Sequence, residues 1–171
     1  MHPSVTPLAA TLRLNTELLL NCLEGVSEEQ AHSRPAGSCN HIAFLAAHLI
    51  ESRHFLLSLL GASTPNPLAT ALQGAKRLED VAELPPMAEL VALWEAVSAQ
   101  LAVLVERLDT PTLARQTQPL PGSDGTLLGN LAFLVHHDCY HLGQVSLLRR
   151  QVGLPAMTYA VKPREPGRIG A

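Results

Sequence analysis

His136-His137-Asp138-Cys139-Tyr140-His141-Leu142-Gly143-Gln144 sits late in a long apolar segment and packs three histidines into six residues. On an α-helix, His137 and His141 stand one turn apart and project from the same face. Two imidazoles at that spacing can close on one metal ion, as the helical His-x-x-x-His of zinc enzymes does. The same spacing also arises on solvated faces, so the pair alone leaves ligand and surface evenly matched. A third ligand must come from another element, and His48, inside a second strongly helical segment, is the best placed. A lone histidine in such a segment is more often a partly buried core residue.

At about 100° per residue, Asn130, Leu134, His137, His141, Gln144 and Leu148 share one stripe, apolar at its ends and polar in the middle. Such a stripe suits a metal site lining a helix bundle. His136 is turned roughly 100° from His137 and cannot join the same ion without distortion. Cys139 lies two residues from each member of the pair and reads as a packed thiol pointing away. On the second segment, Phe44, His48, Glu51 and Phe55 share a face, whereas His41 and His54 read as capping or helix-face histidines.

Outward from these segments the pattern is helical throughout. The first helix is expected from Ser4 or Thr6 to Glu24, stopped by Gly25, and Ser27-Glu28-Glu29-Gln30 reads as a capping box. The second runs from about Asn40 to Leu60, and a long connection with one short helix fills 61–85. The third starts near Pro85-Pro86 and carries Leu90, Leu93, Trp94, Val97, Leu101, Leu104 and Leu108 at spacings of three and four. Asp109-Thr110-Pro111 ends it, Pro119 to Gly125 is a loop, and the fourth helix runs from Thr126 to about Val152. The expected fold is all-α, a four-helix bundle over residues 1–155 with a long crossover between helices 2 and 3. Residues 156–171 read as an extended or disordered tail.

Composition narrows the function. The 171 residues are 47% hydrophobic, 4% aromatic and 16% charged, with a net charge of -3. That balance argues against nucleic acid, which calls for a basic stripe. No basic block suggests an anionic membrane surface, and no apolar run is read as reaching the ~18–20 residues of a membrane span. Met1-His2-Pro3-Ser4 lacks the basic region of a secretory signal. Cys22, Cys39 and Cys139 show no paired spacing, which suits free thiols in a reducing cytoplasm.

The chain resembles the DinB-like superfamily of small metal-binding four-helix bundles. The likeness rests on Asn40 to Leu49, the turn at Leu60-Gly61, the His136–Gln144 stretch and Leu148 to Pro155, and covers nearly residues 5–155. Most specific is His-x-x-Tyr-His-x-Gly-Gln within the last bundle helix; Leu142 stands where some members have Arg. The resemblance implies that His48, His137 and His141 hold a divalent ion (Zn, Ni or Fe) with water completing the shell. It also implies chemistry of the kind seen in thiol transferases that add bacillithiol or mycothiol to electrophiles. An open metal position lowers the pKa of an incoming thiol.

With that function, Glu51, Asn130 and Gln144 are expected to steer ligands or substrate, and Arg149 and Arg150 to receive the carboxylates of an acidic thiol cosubstrate. Their plainer roles are a solvated carboxylate, helix contacts, and cations at a helix C-terminus. A hydrolase using metal-activated water, or a non-catalytic metal-binding bundle, are the competing readings. The expected partners are a small-molecule substrate and a second copy of the chain.

Overall fold

Seven α-helices form in the computed structural model, which describes residues 1–37, 40–72, 74–75, 78–81 and 83–160. They are α1 (Thr6–Leu23), α2 (Glu28–His32), α3 (Ile42–Leu59), α4 (Ala69–Leu72), α5 (Met87–Glu106), α6 (Thr110–Leu113) and α7 (Leu127–Gln151). Among the described residues no strand forms; one isolated bridge joins Gln116 to Thr126.

The four long helices make the bundle, each packed on two neighbours in the order α1, α7, α3, α5 and back to α1. Cross-helix contacts fix their directions. Asn15 reaches Val135 while Arg149 reaches Cys22, so α1 and α7 run parallel. Trp94 Nε1 donates to the Thr16 carbonyl, and Ser52 meets His137 while His48 also faces His141, so α3 and α5 run the other way. Parallel neighbours cannot be joined by a tight turn, because the chain must travel back along the bundle. An 18-residue helix is about 27 Å long. That is the physical reason for the long connection between α3 and α5, which carries α4 and a 3₁₀ turn at Leu78–Asp80.

Helix ends follow the local sequence. Ser27 and Gln30 close a reciprocal capping box on α2. Thr126 accepts from Gly129 N and starts α7. His41 caps α3 with its ring, Nδ1 accepting from Phe44 N at 3.0 Å. Gly61 and Gly153, at φ 84° and 88°, end α3 and α7; Ala62 N then bonds back to Leu57 O and Leu154 N to Arg149 O. Asp109 does more than stop α5: it accepts from Thr112 N and, with Pro111 in the first turn, opens α6.

Leu, Ala and Val fill the core around Trp94, which is fully buried. Through this apolar interior runs one charged connection. The Arg53 guanidinium, on α3, donates to Asp138 Oδ2 of α7 from Nε (3.2 Å) and Nη2 (2.8 Å). It also donates to Thr16 Oγ1 and the Leu12 carbonyl of α1, and to Ser98 Oγ of α5. Its Cζ lies over the Trp94 ring, 3.6 Å from the ring centre. One side chain thus ties α3 to the three other bundle helices. Burial raises the Asp138 carboxyl above its ordinary value while the Arg53 charge opposes the rise.

One expectation needs correction. By length and composition α3 and α5 could each cross a bilayer, with mean hydropathy of 1.3 and 1.6. In the bundle they pack against each other and against α7 and α1. The tail begins as a docked segment: Met157 rests on the core and Thr158 N donates to Asn21 Oδ1. Residues 161–171 of that tail, and Ser38 and Cys39, lie outside the described residues.

Removing one side of a buried charge pair strands the other. Asp138→Ala or Arg53→Ala is expected to cost about 3–5 kcal/mol, read by urea unfolding, and the double variant much less than the sum. Additive losses would show that the pair is not coupled.

Candidate metal centre

His48 projects from the second turn of α3, and His137 and His141 from the middle of α7, where the two antiparallel helices pack. The three rings meet tip to tip. His137 Nε2 lies 3.1 Å from His48 Nε2 and 3.1 Å from His141 Nε2. Ring centres are 4.4–5.0 Å apart and steeply inclined. Each of the three rings is half-buried, inward on the bundle and open outward.

Each imidazole is held from behind by its other nitrogen. His141 Nδ1 donates to Gln144 Oε1 at 2.7 Å, an amide oxygen that can only accept. His137 Nδ1 stands 3.2 Å from Ser52 Oγ, reached across from α3. Glu51 Oε2 lies 3.7 Å from His48 Nδ1, close enough to orient the ring by charge. Gln144 keeps the His141 proton on Nδ1, and with the same tautomer at His137 and His48 every Nε2 would turn a lone pair toward one point. Three lone pairs facing one another repel unless a cation lies between them. Zinc–nitrogen bonds of about 2.0–2.1 Å in tetrahedral array set nitrogen–nitrogen edges of roughly 3.3 Å. The donor set and its spacing therefore fit a divalent ion, and the three-histidine group could hold one.

His137 and His141 are both pushed toward the neutral, ligating form. Burial, with the neighbouring imidazoles, lowers the His137 pKa to about 4. Burial also lowers His141, against the opposing hydrogen bond to Gln144.

The pattern that defines the DinB superfamily matches residues 11–145, a span containing all three histidines. The chain belongs to the DinB superfamily. No curated protein matches it.

Of the flanking residues expected from sequence, Glu51 and Gln144 stand beside the histidines of this DinB-superfamily site. Asn130 does not. Fully buried two turns before His137, it donates to Thr117 Oγ1 and the Gln118 carbonyl and accepts from Leu120 N, fixing the loop before α7. A shared stripe gives direction around a helix but not what waits at each level along it. Arg149 likewise turns away, donating to the carbonyls of Cys22, Glu24 and Pro155. It neutralises the carbonyl ends of α1 and α7, which lie together because those helices are parallel. Arg150 remains exposed on α7.

Cys139 is exposed rather than packed, with Sγ against Asn15. Burial pushes the Cys22 thiol up to about 11, which removes it as a nucleophile. Ser52 and Arg53 escaped the sequence reading. Their signal was present: Ser52 is one turn beyond His48, and Arg53 is the one Lys or Arg between Ile42 and Leu57.

Acid should loosen the metal-free protein. His137 and His41, both held near pKa 4 chiefly by burial, stay neutral when folded, whereas the unfolded chain takes up their protons below about 6.5. Stability therefore falls as the pH drops from about 6.5 to about 4. His41→Asn keeps a capping side chain without a titrating ring. With chelator present, its melting temperature should fall less over that interval than the native protein's; equal slopes would contradict the assignment.

Proposed function

We propose that this chain is a metal-dependent enzyme that transfers a low-molecular-weight thiol onto an electrophilic small molecule. One observation carries the reading: three converging Nε2 atoms from rings half open to solvent. Structural ions take a closed set of four side chains, whereas three protein ligands and an outward opening are the catalytic arrangement. Among the described residues, three side chains make up the group. A zinc, nickel or iron(II) ion bound there would supply a Lewis-acidic position that favours the ionised form of an incoming thiol.

The chain's own residues organise that position. Gln144 and Ser52 hold two of the rings with Nε2 facing the centre. Glu51, at the rim, is the carboxylate placed to pass the thiol proton to solvent. The sulfur lone pair then forms the new carbon–sulfur bond, and the electrons of the broken bond leave with the departing group. With Arg149 occupied on helix carbonyls, an acidic thiol would find Arg150 as the free cation of that pair.

Protein purified without a histidine tag should carry about one divalent ion per chain, and His137→Ala almost none. Bacillithiol, mycothiol and glutathione, each offered with a panel of electrophiles, should give turnover with at least one, abolished by chelator. Ester or amide turnover without any thiol would replace the transferase by a hydrolase. Metal-free protein that refuses added zinc and nickel would overturn the site itself.

A further inference from the structure

The chain has six aromatic residues: Phe44, Phe55, Phe133, Trp94, Tyr140 and Tyr159. Trp94 alone is in the core, and Tyr159 is in the tail segment. The other four all lie on α3 and α7, and none of them is buried. A protein that fills its core with Leu, Ala and Val would ordinarily place its few phenylalanines inside, where they contribute most. Here Phe44 and Phe133 only edge the core, half-buried, and Phe55 is exposed.

Their placement follows the histidines. Phe44 stacks on His48, with ring centres 6.1 Å apart and planes 9° from parallel. Phe133 lies 6.0 Å from His137, tilted by 37°. Tyr140 meets His141 edge to face at 5.0 Å and is 60% exposed. Each imidazole therefore carries one aromatic ring on its flank. Phe55, 44% exposed, is on the same α3 face as His48, one turn beyond the level of Ser52 and His137, which brings it toward the level of Phe133. Leu147, 57% exposed, continues the α7 side past Gln144.

The polar groups among these rings, Ser52, Glu51 and Gln144, are the ones turned to the imidazoles. Beside Glu51, whose side chain is 41% exposed, these helix faces also expose the rings of Tyr140 and Phe55. Rings of this kind take another ring by stacking or by edge contact, gaining more than the buried area alone gives.

We infer that the three-histidine centre is framed by an aromatic subsite that binds an uncharged aromatic moiety of the substrate beside the metal position. The inference rests on the metal-centre reading above and names its substrate class. Phe44, Phe133 and Tyr140 are binding residues that place the ring, while the reacting group of the substrate reaches the histidines.

Two hydroxamic acids separate the subsite from the metal. Acetohydroxamate and benzohydroxamate share one chelating head and differ by methyl against phenyl. Titrated calorimetrically into zinc-loaded protein, benzohydroxamate should bind about tenfold tighter or more, and Tyr140→Ala and Phe133→Ala should each cut that ratio severalfold. Acetohydroxamate affinity should stay within about twofold in both variants, which shows that the metal site is intact. Equal affinities in the native protein would overturn the subsite and leave the metal centre standing. Binding of neither probe, or failure to load zinc, would overturn the open centre and the subsite with it. If instead Tyr140→Ala and Leu147→Ala convert a dimer to a monomer by light scattering without changing the ratio, the rings belong to a copy-to-copy interface and the inference falls.

Discussion

The buried Arg53–Asp138 pair is the constraint on which the metal-binding face depends. Asp138 follows His137 directly on α7, and Arg53 follows Ser52 on α3. Fixing Asp138 to Arg53 at 2.8 Å therefore fixes the rotation of α7 against α3 at the level where their histidines meet. The contacts from Arg53 to Thr16, Ser98 and Trp94 extend the same clamp to α1 and α5. An apolar helix interface of Leu and Ala can slip or rotate at small cost. A guanidinium with fixed donors cannot, because every displacement leaves a buried charge or donor without its partner. Rigidity beneath the site is what keeps three Nε2 atoms within reach of one point.

Much of this DinB-superfamily fold was legible because the signals were local. Periodic Leu and Ala, the capping box at Ser27, Thr126 before α7, and glycines after α3 and α7 each act within a turn or two of chain. So was the His137–His141 spacing. The Arg53 clamp was not, because it joins residues separated by 37 to 85 positions. Asn130, placed near the site by helical angle, holds a loop, and Arg149, expected to receive cosubstrate carboxylates, holds two helix ends. Angle around an axis says nothing of the neighbour at that height. The crossover could be read from its length, but the parallel arrangement of α3 and α5 that demands it emerges only from packing.

The electrostatics of the site follow one principle. Half-burial makes protonation of the central histidine unfavourable, and Gln144 keeps the His141 proton on the far nitrogen. Both effects leave ligating lone pairs directed at a position open on one side. Phe44, Phe133 and Tyr140 stand beside the imidazoles, with ring centres 5.0–6.1 Å away. Metal affinity, thiol activation and recognition of a ring would then be separable functions of one helix pair.

X-ray absorption at the zinc edge of the loaded protein tests the central claim most directly. Three imidazole nitrogens at about 2.0–2.1 Å, with one light, exchangeable fourth scatterer, is the predicted shell. A sulfur scatterer, six oxygen-like neighbours, or fewer than three imidazoles would contradict the assignment of His48, His137 and His141 as a common metal centre.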